Sequence, residues 1–342
     1  MDILLPFETS PFIRTYVNHA YPFGIIEANF GEETLSRLIC DKYVNCIYSM
    51  NDRNKFYISE TDSWFEQSGA ITHQAYMCRE KDIVCVREAV NETHRRLSNG
   101  EYVLSRLNEG RISAVCQGRV YDFDHECLIY GFDDKTKQYL SAGYIKLPNR
   151  GKQYIPYNIS YDEYIDALYN VECCVVELLF YKVSMDFVLP SIDLEHVLQL
   201  LQQYVDSDNP EYSSREDLCD IIANGELKFG VSAWNELSVY INGINFDSNI
   251  DMRYVRQYAE HKSLMARRMS YLLKCCSIVD SSIIEASSKV YYESQKVMAL
   301  SLKYNLTKNT KFLRQLSDRI MTINEYEFEY VRKVIDRLGQ LC

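Results

Sequence analysis

The sequence has no phosphate-cradling loop: nothing matches GxxxxGK[ST], and no GxGxxG follows a strand-like run. Nucleotide-dependent chemistry is therefore disfavoured, because such loops supply the backbone N–H groups that hold phosphates. CxxC and HExxH are missing as well, so the spacing rules point to no metal site, and no cofactor is expected. Basic runs are also scarce. With 48 acidic against 37 basic residues and a net charge of −11, the chain lacks the positive footprint that nucleic acid requires. No apolar run approaches the roughly 20 residues that cross a bilayer. The opening "MDILLPFETSPF" lacks a charged n-region and a long apolar stretch. A cytoplasmic protein that binds neither nucleic acid nor membrane is expected.

What is present begins with length. The 342 residues suffice for two domains or one large one. The 12 cysteines are spread thinly along a chain without a secretion signal, so reduced thiols are expected. Up to about residue 189, short runs rich in Tyr, Ile and Val alternate with turn signals: "KYVNCIYSM", "YVLSRL", "RISAVCQGRVY", "ECLIYGF", "QYLSAGYIKL" and "CCVVELLFYKV". These read as strands. Helices are expected at about 32–41, at 80–98 and in "SYDEYIDALYN", where Ser160 and Glu163 have capping-box spacing. From residue 190 the strand signal fades. "DLEHVLQLLQQYV" has Leu194, Val197, Leu198, Leu201 and Val205 at helical spacing. "SSREDLCDIIANG" starts at a Ser cap and stops at Gly, and three longer helical segments follow. The expected fold is α+β: an N-terminal domain with an antiparallel sheet over 1–189, then an all-α region over 190–342.

The chemistry concentrates in "DFDHECLIYGFDD", residues 122–134. It reads as a strand entered at His125, a polar turn at "DDKTK" and an antiparallel return. A histidine at a strand mouth can point into a cleft while the ladder fixes its backbone. Papain-type enzymes are built this way. Their histidine opens a central strand, a carboxylate or amide on the next strand orients it, and a cysteine at a helix N-terminus attacks the substrate.

A histidine ahead of "LIYGFDDKTKQYLSAGY", the upstream "NHAYPFGII" at 18–26, and "DMRYVRQYAEHKSLMARRMSYL" together resemble the proteins related to butirosin biosynthesis protein H. The resemblance implies a papain-like N-terminal domain in carrier-templated biosynthesis, where the namesake transfers an acyl group from a carrier protein to an amine. The implied partners are an acyl or peptidyl carrier protein bearing a thioester and a small amine acceptor. His125 matches the family's general base. The nucleophile does not carry over, since a His-Cys pair precedes the first helix in the family pattern and His19 is followed here by Ala20. Nor does the orienting acid, because the return strand reads Ser141, Ala142, Gly143 where the pattern has Asp.

Other residues could fill those roles. Cys46 ranks first as an alternative thiol and Cys116 second, while Cys127 shares a strand face with His125; each also reads as a small buried hydrophobe. Asp134 and Asp133 could orient His125 or simply form the hairpin turn. His19 belongs either to the site, if the two motifs meet in one cleft, or to a loop. Three functions remain open: an acyl or aminoacyl transferase, an inactive accessory protein that keeps the cleft for binding, and a cysteine-peptidase-like hydrolase. An acidic carrier would need a basic patch, and only "HRRLS" and "MARRM" offer one.

Overall fold

A computed structural model describes residues 3–50, 56–58, 64–78, 82–147, 151–173, 175–210, 222, 224–276 and 280–340. The "SSREDLCDIIANG" helix expected at 213–225 lies largely outside them. The chain divides into two compact units, 1–35 with 62–188, and 36–61 with 189–342. Residues 36–61, read from the sequence as part of the first domain, belong to the second unit. Their strand explains the difference: β2 (Cys46–Ser49) pairs with β3 (Phe56–Ile58) and with β10 (Leu227–Phe229), not with the main sheet.

The first unit is an antiparallel sheet in the order β4 (Ile71–Cys78), β9 (Val176–Val183), β5 (Glu101–Asn108), β6 (Asp124–Asp133), β7 (Gln138–Leu147) and β8 (Gly151–Ser160). A two-residue β1 (Ile3–Leu4) takes the place of β5 beside the far half of β6. That close approach needs Gly131, where a Cβ would stand 2.5 Å from the Ile3 carbonyl oxygen. The register of β6 with β7 shifts between Ile129 and Gly131, so Ile129 and Phe132, three residues apart, enter the same core.

Two helices cover one face of this sheet. In α3 (Ile83–Ser98), Val86, Ala89, Val90 and Leu97 are buried. In α5 (Tyr161–Tyr169), Ser160 and Glu163 form the reciprocal capping box their spacing predicts. Both pack on Val103, Leu107, Cys127, Ile129, Tyr139 and Phe180. The opposite face receives α1 (Val17–Leu38), which breaks helical geometry at Gly31 with φ at +83°. From α1, the Tyr21 hydroxyl lies within 3.2 Å of the Glu126 and Ala142 carbonyls, and Asn29 donates to the Tyr102 hydroxyl at 2.9 Å. Cys78 and Cys85 are joined by a disulfide, with Cα atoms 6.2 Å apart. This corrects the all-reduced expectation: the end of β4 and the first turn of α3 bring two thiols together that no motif connects.

The second unit is mainly helical: α6 (Leu194–Asp206), α7 (Gly230–Asn242), α8 (Met252–Cys275), α9 (Ser281–Thr307) and α10 (Lys311–Leu338). Its core joins Val197, Leu201, Trp234, Leu237, Met265, Met269, Ile320 and Val331 with Cys46, Tyr48 and Phe56 of the small sheet. No described helix is long and apolar enough to cross a membrane.

Candidate functional site

"RISAVCQGRVY" is not a strand. After β5 the chain turns through a single 3-10 turn, Glu109–Arg111, and a one-turn helix α4, Ser113–Cys116. Asn108 sets the turn: its Oδ1 accepts from Gly110 N at 3.0 Å, and its Nδ2 donates to Asp122 Oδ1 and the Asn170 carbonyl, both at 2.9 Å. Glu163 of α5 then accepts from Ser113 N at 2.9 Å. Gly110 is required because a Cβ would stand 1.8 Å from the Tyr121 carbonyl oxygen. Apolar alternation alone conceals these polar ties, which is why the segment reads as a strand.

The turn delivers Glu109 to the mouth of β6. Its backbone N–H donates to the Phe123 carbonyl at 2.9 Å, and its Oε1 lies 3.2 Å from His125 Nδ1. Phe123 stacks on the imidazole, with centroids 5.6 Å apart and planes 23° from parallel. The His125 side chain is 35% exposed and that of Glu109 18%, so the pair is open to solvent on one side. Among the described residues Nε2 has no protein partner. A half-exposed ring with a carboxylate beside Nδ1 and no protein partner at Nε2 is an arrangement in which imidazole can accept a proton from a reactant.

Glu109 is the neighbour of His125 that sequence reasoning missed. It stands 16 positions from His125 with no motif joining them, and only the β5–β6 register, Leu107 opposite His125 and Asn108 opposite Asp124, brings the turn to the histidine. Asp134, expected to orient His125, lies at the other end of β6, roughly 25–30 Å away at strand rise. It accepts from the Tyr161 hydroxyl at 3.2 Å and faces Lys137 Nζ at 3.5 Å. Asp133 caps the turn, accepting from Lys135 N at 2.7 Å and Thr136 N at 3.2 Å.

His19 does not join His125. Directly opposed residues of neighbouring strands share a face, so His125 sits with Leu107 on the α3/α5 side, whereas His19 belongs to α1 on the other side. Buried His19 is a helix residue, not a loop residue. Ala20, where the resemblance would have a cysteine, is fully buried.

The three candidate thiols are buried. Cys46 belongs to the second unit, is 1% exposed, and donates to the Gly230 carbonyl at 3.0 Å. Burial pushes its pKa well above the ordinary thiol value, outweighing the pull of Lys262. A reactive thiol needs the opposite shift. Cys127 is buried with its Sγ 3.0 Å from Ser141 Oγ and 3.4 Å from the Tyr157 hydroxyl, and burial pushes it up to about 11. Cys116 is buried in α4 rather than on a strand. Among the described residues no thiol hydrogen-bonds His125, and no three His, Cys, Asp or Glu side chains gather as a metal-binding group.

Three arginines of the two basic stretches have internal partners. Arg96 of "HRRLS" bonds Glu92, Gln74 and Glu101 and lies 4.2 Å from the Phe180 centroid. Arg95 pairs with Glu92. Arg268 of "MARRM" is fully buried and donates to the carbonyls of Ile39, Cys40 and Lys42. No protein-family model matches the sequence, and no curated protein matches it.

Proposed function

We propose that the first unit is a papain-like domain that performs acyl transfer without an enzyme thiol, using His125 oriented by Glu109 as the general base. An amine acceptor attacks a carrier-bound thioester. The C–N bond forms as the C–S bond breaks, Nε2 takes the proton from the amine, and the departing thiolate recovers it. A thiolate is already a good leaving group, so positioning and one base supply much of the acceleration. The observation that carries this reading is the 3.2 Å contact of His125 Nδ1 with Glu109 in a side chain 35% exposed, whose Nε2 has no protein partner among the described residues. The thioester and amine substrates come from the resemblance, and α1 packed on an antiparallel sheet is compatible with a papain-like plan. A peptidase-like hydrolase would need an activated thiol at His125, so it is not retained.

A second reading is an accessory protein that keeps the fold for binding. Its support is that Ala20, Cys46, Cys116 and Cys127 are all buried, leaving none of the expected nucleophile positions reactive.

The experiment offers the full chain an acylated carrier protein and an amine and follows transfer by intact mass spectrometry. On the transferase reading His125→Ala and Glu109→Gln lose about 100-fold or more in rate, while Cys46→Ala transfers at the wild-type rate. Equal transfer by wild type and His125→Ala at the uncatalysed rate would support the accessory reading. Loss on Cys46→Ala alone, in a folded protein, would overturn both.

A further inference from the structure

The second unit holds a cleft of about 480 Å³ between α6, α7 and α10, within the range of small-molecule sites. In α10, Met321, Asn324, Glu325, Phe328 and Glu329 line it at i, i+3, i+4, i+7 and i+8, one face of a helix. Val205 and Val231 add apolar wall, beside the Ser207 and Ser232 hydroxyls, which bond each other at 2.8 Å. The floor is polar. Asn324, 2% exposed, donates from Nδ2 to Asn235 Oδ1 at 2.9 Å and accepts from the Tyr258 hydroxyl at 2.9 Å. The Nδ2 donors of half-buried Asn235 have no protein partner among the described residues. Asn324 is committed to Tyr258 and Asn235, so the amide pair presents the Asn235 Nδ2 donors to the cleft.

The rim is negative. Glu325 and Glu329 stand one helical turn apart, where like charges repel, and neither forms an ion pair among the described residues. The neighbouring cation, Arg332, stacks 4.7 Å from the Phe328 centroid instead. Carboxylates at the mouth, apolar walls and an amide donor at the base together specify a ligand with a cation at one end and a hydrogen-bond acceptor at the other.

We propose that this cleft binds a small aliphatic amine carrying a hydroxyl or carbonyl at its far end. The ammonium sits between Glu325 and Glu329, the aliphatic body lies against Phe328 and Val231, and the far oxygen accepts from Asn235. The site stands independently of the His125 chemistry.

The probe is 6-aminohexan-1-ol, with hexan-1-ol as the uncharged control, titrated calorimetrically into the full chain. The amino alcohol should bind saturably and at least about fivefold more tightly than hexanol, as two partly exposed charge contacts allow. Glu325→Gln with Glu329→Gln should reduce it to the hexanol level, and Asn235→Leu should abolish binding. The rim residues are exposed, so the double variant keeps the test open if Asn235→Leu fails to fold. His125→Ala should bind as wild type. No saturable binding, equal affinity for amine and alcohol, or an unchanged affinity in the rim variant would each overturn the proposal.

Discussion

Two acid–base pairs, one in each unit, show how burial decides what a charge is for. In the second unit Lys262 and Glu327 are both fully buried and form an ion pair. The Tyr204 hydroxyl donates to Glu327 at 2.5 Å, and the Lys262 ammonium lies 4.7 Å from the Tyr258 centroid and 5.3 Å from that of Trp234. Desolvation lowers the pKa of Lys262 while Glu327 raises it. In the first unit His125 and Glu109 make one contact at the edge of solvent. The buried pair is locked by its surroundings and can exchange with nothing. The open pair has a ring nitrogen to spare, and it is the pair on which the proposed chemistry rests.

Breaking the buried pair should give the largest effect. Removing one partner leaves a charge in the core, so Glu327→Gln or Lys262→Met should each destabilise by about 3–5 kcal/mol in urea unfolding. Replacing both with apolar residues, Lys262→Met with Glu327→Leu, should recover most of that loss. If the single variants cost under about 1 kcal/mol, the contrast between the two pairs disappears.

A smaller effect concerns His261, adjacent to Lys262 and fully buried. Its Nε2 meets the Val44 carbonyl at 2.9 Å, while Nδ1 is buried with no partner among the described residues. Burial first, and then Lys262, push its pKa well below 6.5. The sign follows from linkage: below about pH 6.5 the unfolded chain binds a proton that the folded chain refuses, so this stability is present above that pH and lost as pH falls. His94, whose pKa burial also lowers, acts in the same direction. Unfolding free energy should therefore drop by up to about 1.4 kcal/mol per pH unit for His261 between roughly pH 6.5 and 5. His261→Gln should flatten that slope; an unchanged slope would show that His261 is not the titrating group.

The thiols sharpen the same contrast by exposure alone. Cys173 and Cys275 are exposed, while Cys46 and Cys127 are buried. Iodoacetamide followed by peptide mass mapping should label the first two in the native protein and the second two only after denaturation. Native labelling of Cys46 would reopen its candidacy as a nucleophile.

How much of this was legible in the sequence depends on how local each feature is. The capping box at Ser160 and Glu163, the hairpin at "DDKTK" and the stripe of Leu201 and Val205 are short-range patterns, and each appears where its spacing places it. β4 and β8 were missed because they are edge strands of the main sheet, where alternation is weak and a proline such as Pro156 is tolerated. The site was half visible. A strand-mouth histidine can be read from "DHECLIYGF", but its partner depends on a pairing register and on a 3-10 turn held by Asn108 and Gly110. The aspartates nearest in sequence to the end of β6 were misleading because strand length carries them away from His125.

The smallest stability effect should come from the open pair itself. A half-exposed ion pair contributes about 0–1 kcal/mol, and neither His125 nor Glu109 is buried in the core. His125→Ala and Glu109→Gln should therefore shift unfolding free energy by no more than about 0.5 kcal/mol each. Their double variant should show little coupling in stability, although on the proposed mechanism the two should be strongly coupled in transfer rate, because there Glu109 acts only through the ring it orients. Restoring a carboxylate with Glu109→Asp should recover part of the rate and none of the stability. A loss above about 2 kcal/mol in either single variant would instead make the dyad a structural brace that ties the 3-10 turn to β6, and would return His125 to the role of an ordinary residue at a strand mouth.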